Sequence, residues 1–205
     1  MKLYYSPGSC ALGIHVLLEE IGAPFETRRI SFAEREQMSA AYLAINPKAK
    51  VPALQRDDGS VLTEFQAIAL YLALTHPEKR LMPEDAEGKA RMMEAMDYVV
   101  GTIHAAGFRR LFRTAEFASR EADHDAVKAR GLEIVNAGFA LIDHDLAGKE
   151  WVVGPFSLAD AALFYPCFWA AARLDIPLPP NVRAHYQRMA ARPAVGRALK
   201  NEGLS

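Results

Sequence analysis

The chain has 205 residues, 51% of them hydrophobic and 24% charged, with a formal net charge of -1. That length holds one large domain or two small ones around a real core, and the composition is that of an ordinary globular protein. The near-neutral balance offers no footprint for nucleic acid, and no run approaches the ~20 apolar residues of a membrane span, so neither partner is expected.

In chain order, Lys2 to Tyr5 reads as a short strand, ended by the Pro7-Gly8 turn. Ile14, Leu17, Leu18 and Ile21 recur at helical spacing, so Ser9 or Cys10 opens a helix. Pro7, Gly8, His15, Glu19 and Glu20 break up the apolar stretch that a secretion signal needs. A cytoplasmic protein is therefore expected, with Cys10 and Cys167 reduced rather than joined. Phe25 to Ile30 reads as a second strand after the Gly22-Ala-Pro24 break. Met38 to Ile45 reads as a short helix stopped by Asn46-Pro47. Val51 to Gln55 and Val61 to Thr63, around Asp57-Asp-Gly59, form a hairpin signal, and Ile68, Tyr71, Leu72 and Thr75 mark a helix from Glu64. The order β-α-β-α-β-β-α describes a small α/β domain with a mixed sheet.

Residues 77–86, punctuated by Pro77 and Pro83, read as a linker between a domain at 1–76 and an all-helical domain at 87–205. Met92, Met96, Val99 and Ile103 make one apolar stripe; Leu132, Val135, Phe139, Ile142 and Leu146 make another. Ser157-Leu-Ala-Asp160 is a capping box with Asp in place of Glu, ahead of an almost uniformly apolar helix that reaches Leu174. Pro177, Pro179 and Pro180 end that segment, and two shorter helices follow.

Cys10 stands at a helix N-terminus, where unpaired N–H groups and a partial positive charge stabilise a thiolate over a thiol. Val51-Pro52 reads two ways: a trans proline opening an edge strand, or a cis bond that turns the Val51 backbone toward an extended peptide ligand. Thr63-Glu64-Phe65-Gln66 opens a helix. There Glu64 either complements the helix dipole or pairs with a ligand amino group, while the N–H groups of Phe65 and Gln66 take a carboxylate. His15, Tyr5 and Cys167 read as core residues, Asp160 as a cap, and no residue set has metal-ligand spacing. Arg109, Arg110 and Arg113 form a basic cluster, read as a solvated face or as the rim of a cleft for anionic co-substrates.

These features, in this order, resemble the glutathione transferases, and most of all the bacterial beta class, which begins with a sequence like Met1-Lys-Leu-Tyr-Tyr-Ser-Pro-Gly-Ser-Cys10. The resemblance continues through Ala44-Ile-Asn-Pro-Lys48, Val51-Pro-Ala-Leu54, Leu62-Thr-Glu64, the capping box and Glu202-Gly-Leu204. It implies a thioredoxin-like N-terminal domain with a four-stranded mixed sheet that holds glutathione as co-substrate. It also implies a C-terminal helical bundle with a pocket for small hydrophobic electrophiles, and a homodimer. By the same resemblance Cys10 lies beside the glutathione sulfur and can form a mixed disulfide with it. Val51, before a cis Pro52, pairs with the cysteinyl part, Glu64 and the Phe65 N–H hold the γ-glutamyl end, and His104 reaches toward the ligand. Ser9 is a second donor beside Cys10 or only a helix cap. Three departures stand out: Ala105 where the family commonly has Lys, Phe65 where it has Ser or Gly, and an ambiguous glycyl-carboxylate partner, for which Arg35 is the best candidate. The expected activity is conjugation of the glutathione thiolate to electrophiles. A glutathione-dependent disulfide reductase or peroxidase using Cys10, and a non-enzymatic glutathione carrier, are the alternatives.

Overall fold

The computed structural model describes residues 1–204, and these divide into two units. The first comprises Met1–Leu81 and the segment from Met189 onward; the second is Met82–Arg188.

In the first unit, β1 (Lys2–Tyr5), β2 (Glu26–Arg29), β3 (Ala53–Gln55) and β4 (Val61–Thr63) form a four-stranded sheet of order β2-β1-β3-β4. β1 runs parallel to β2 and antiparallel to β3, and β3 pairs antiparallel with β4. Helix α1 (Ala11–Ile21) is the crossover between the two parallel strands, as a βαβ unit requires. It is buried on almost every side because β1, α3 (Phe65–Thr75) and the C-terminal helix all pack on it. The helix expected over 38–45 is instead a 3₁₀ turn, Glu36–Met38, followed by α2 (Ala40–Leu43). Ser39, in extended conformation between them, accepts the Tyr42 N–H and so starts α2 afresh. The hairpin strand begins at Ala53 rather than Val51, just after the Val51–Pro52 bond, which is cis.

The last helix belongs to this unit by packing, although the sequence reading grouped it with the helical residues before it. Arg192 makes a two-pronged pair with Glu20, Arg197 and Asn201 hold Glu19, and the buried Glu202 carboxylate takes the Gly8 N–H at 2.7 Å and lies 2.9 Å from His15 Nδ1. His15 is thus a core residue, edge-on to Tyr5 and Phe25.

In the second unit, α4 (Ala86–Asp97) runs into a π-helical stretch, Tyr98–Phe108, and then into α5 (Arg109–Phe112). α6 (His124–Asp145) packs along it, and α7 (Leu158–Arg173) is the buried centre. α8 (Pro180–Ala190) starts on Asp143, whose carboxylate accepts the Asn181 and Val182 N–H groups; α9 (Pro193–Glu202) is the helix described above. The Met92–Ile103 stripe is buried throughout, whereas Leu132 of the second stripe is 39% exposed. The capping box is present, and its Asp160 also accepts the Val152 N–H and meets His185 Nε2 at 2.8 Å. Gly138 lets α6 lie close to the π-helical stretch: a Cβ there would sit 2.6 Å from Ile103 Cγ1.

Candidate active site

The first unit brings Cys10, Val51 and Glu64 into one neighbourhood. The β1–α1 turn ends in Ser9 and Cys10, and the Cys10 thiol donates to the Val51 carbonyl at an S···O distance of 3.5 Å. Ser9 Oγ accepts the Ala11 N–H at 3.3 Å, one residue ahead of the N-cap position, which is Cys10. The loop that carries Val51 is held from beneath: Tyr42 Oη and Asn46 Nδ2, on two buried residues, both donate to the Lys50 carbonyl at 2.7 Å.

The charge state of Cys10 differs from the sequence expectation. Burial pushes its thiol up to about 12; its own N–H and that of Ala11 pull the other way, Glu64 adds to the rise and Lys50 opposes it. The N–H groups at the helix start therefore act in the expected direction but lose to desolvation. The resting form is a thiol that donates a hydrogen bond, not a thiolate.

Glu64 occupies the position before α3 with φ 71°, a region that favours glycine, and its carboxylate makes no cap bond to the helix. Instead it pairs with Lys48 Nζ at 2.7 Å, and the same ammonium donates to Thr63 Oγ1 at 2.9 Å. Glu64 thus stands at the start of α3 with its exposed carboxylate paired to one cation, Lys48. The Phe65 ring is buried in the core and leaves only its backbone at the helix start. Arg35 is exposed on the loop after β2, also at positive φ, and among the described residues no hydrogen bond or ion pair joins it to Cys10, Val51 or Glu64.

His104 lies in the second unit, half-buried on the π-helical stretch. Its Nδ1 is 3.1 Å from Tyr165 Oη, and its ring is edge-on to Trp169 at 4.8 Å. Phe108 and Phe112 complete an aromatic wall around Trp169, of which Phe112 is 41% exposed. Of the basic cluster, Arg109 pairs with Glu116, and Arg110 lies over the Phe117 ring at 4.4 Å. The sequence reading missed four residues here. Lys48 and Lys50 flank the Val51 corner in plain view, and Tyr165 and Trp169 stand one helical turn apart on α7. Cys167 is buried in α7, and burial alone raises its thiol out of the reactive range. Both cysteines are free. Among the described residues no group of three or more His, Cys, Asp or Glu side chains is placed to hold a metal ion, and no helix is long and apolar enough to cross a membrane.

Known proteins resemble this chain in both of its parts. Residues 7–75 match the glutathione S-transferase N-terminal domain and residues 125–188 the corresponding C-terminal domain. Glutathione S-transferase GstA of Escherichia coli O157:H7 is 36% identical over the full length of both chains. A sphingomonad glutathione S-transferase complexed with glutathione is 36% identical, covers 100% of both chains and superposes with a TM-score of 0.85. A Sulfitobacter glutathione transferase homologue with bound glutathione, 32% identical, reaches 0.90 over 100% of this chain and 98% of that one. With full-length identity, a matching fold and the Cys10–Val51 corner in place, the chain belongs to the glutathione S-transferase family.

Proposed function

We propose that this enzyme binds glutathione in an extended form on the first unit and conjugates its thiolate to small hydrophobic electrophiles. The observation that carries this reading is the Cys10 thiol set against the carbonyl that precedes a cis proline. An extended cysteinyl residue pairing with the Val51 backbone would bring its sulfur to that thiol. Because Cys10 is protonated, it acts first as a hydrogen-bond donor. On binding, its S–H turns from the Val51 carbonyl to the incoming sulfur, and with the Ser9 hydroxyl and the N–H groups at the start of α1 it stabilises the glutathione thiolate. The glutathione proton leaves to solvent, the thiolate attacks the electrophilic carbon, a C–S bond forms and the leaving group departs with its electron pair. Arg35 is assigned to the glycyl carboxylate and Glu64 with the Phe65 N–H to the γ-glutamyl end. His104, with the aromatic wall beside it, is assigned to the reaction at sulfur and the electrophile. A homodimer in a reducing cytoplasm, the state suggested by the family and the free cysteines, completes the reading.

The test combines isothermal titration with glutathione and conjugation of an aryl halide. Micromolar-to-millimolar binding with turnover supports the reading; the absence of both overturns it. Light scattering should return twice the 22.6 kDa chain mass.

One observation supports a second activity. Cys10 keeps partial solvent exposure and sits where the ligand sulfur would arrive. In its minor thiolate form it can attack the glutathione sulfur of a mixed disulfide, the Cys10 proton passing to the other thiol as that leaves, and Cys10–S–S–glutathione forms. A second glutathione then regenerates Cys10 and leaves as the oxidised dimer. Cys10→Ala removes this reduction and leaves part of the conjugation.

A further inference from the structure

We propose that Tyr165 is the positioning residue for His104. Its phenol donates to Nδ1 and holds the imidazole with its proton on Nε2, so His104 meets the reacting sulfur as a hydrogen-bond donor, not as a base. The inference rests on the reading that His104 serves the glutathione reaction. Tyr165 is fully buried on α7, and its Oη lies 3.1 Å from His104 Nδ1. In a neutral imidazole one nitrogen carries the proton and the other accepts, and the bond made at one settles which. A phenol gives up a proton far more readily than a neutral imidazole N–H does, and an imidazole lone pair accepts better than a phenol oxygen. The stronger arrangement is therefore O–H to Nδ1, which leaves the histidine proton on Nε2. With Nδ1 engaged and Nε2 protonated, the ring keeps no lone pair with which to take the glutathione proton.

The packing of the second unit holds that arrangement in place. The ring of His104 is edge-on to Tyr165 at 5.5 Å and to Trp169 at 4.8 Å, and those two are 4.9 Å apart, so the three close a triangle. Tyr165 and Trp169 are four residues apart on α7, so one helix face supplies both supports. The backbone that carries His104 is fixed by α6. A Cβ at Gly138 would sit 2.6 Å from Ile103 Cγ1, and one at Gly107 would sit 2.8 Å from Val135 Cγ2. α6 therefore closes on the π-helical stretch both before and after His104 in the chain. Ala105, next in the chain, brings no charge of its own to share the work. A donor held this way by buried neighbours needs no reorganisation as charge develops on sulfur.

The test reads the histidine first and the reaction second. Proton–nitrogen correlation spectra of the ligand-free wild type at mildly alkaline pH, with the ring assigned through His104→Ala, should show His104 protonated on Nε2 alone. Tyr165→Phe, which removes one oxygen and keeps the ring, should give a mixture of the two tautomers. In conjugation of an aryl halide, Tyr165→Phe should lower kcat about five-fold, the scale of one hydrogen bond, and leave the KM for glutathione unchanged. In a His104→Ala background the same substitution should have no further effect. A wild-type proton on Nδ1 would overturn the role. So would an equal loss from Tyr165→Phe with and without the histidine, which would mark the hydroxyl as a folding contact only. A His104→Ala variant as active as the wild type would overturn it while leaving glutathione binding standing. A wild type that conjugates nothing overturns the proposed function and this role together.

Discussion

Each unit buries one histidine beside one carboxylate, and the two pairs differ in how far the chain travels to make them. In the second unit Asp160 gathers the N–H groups of Ser157 and Val152, three and eight residues away, and His185 at 25 residues. In the first, Glu202 meets His15 across 187 residues and the Gly8 N–H across 194. Asp160 thus organises a helix start within its own neighbourhood. Glu202 ties the end of the chain to the turn that presents Cys10, so the geometry of the proposed site depends on the last helix.

The comparison can be broken by replacing each carboxylate. Glu202→Ala and Asp160→Ala should each cost about 3–5 kcal/mol in chemical denaturation, the scale of removing one partner of a buried pair. Only Glu202→Ala should also weaken glutathione binding by the folded fraction, because it frees the Gly8 N–H two residues from Cys10. Equal binding losses in the two variants would erase the distinction. A smaller effect probes the packing of the second unit. Gly138→Ala should cost about 1–3 kcal/mol, since its Cβ would meet Ile103, whereas Gly101→Ala, with no atom within 4 Å of its Cβ, should be neutral or stabilising.

Reactivity separates the two thiols. With Cys10 raised to about 12, its thiolate fraction keeps growing tenfold per pH unit across the neutral and mildly alkaline range. Iodoacetamide modification of Cys10 in the ligand-free protein should therefore rise from pH 7 to pH 9.5 without a plateau, with Cys167 unmodified. A plateau below pH 8 would show a thiolate at rest. The smallest effect is on folding by Lys48→Met, about 1 kcal/mol or less, because both partners of the Lys48–Glu64 pair are more than half exposed.

What the sequence made legible follows the same division between local and distant. Strand and helix order in the first unit came from alternation and 3.6-residue spacing, and the capping box from two residues three apart. The π-helical stretch around His104 was hidden, because the apolar stripe at positions 92, 96, 99 and 103 has the 4-3-4 spacing of an ordinary α-helix and carries no sign of the wider turn. The place of the last helix was hidden because its partners lie at the other end of the chain. Cys10 was identified by its position at a helix start, but its protonation is decided by surrounding bulk that no local motif reports. Lys48 was overlooked inside a quoted motif, since its partner Glu64 arrives only when the hairpin folds back.

The central claim is that glutathione lies with its sulfur against Cys10, and a crystal structure of the protein soaked with glutathione tests it most directly. The account predicts the ligand sulfur within about 4 Å of Cys10 Sγ, with the cysteinyl backbone paired to Val51. Ordered glutathione whose sulfur lies away from Cys10, or whose backbone leaves Val51 unpaired, would contradict it.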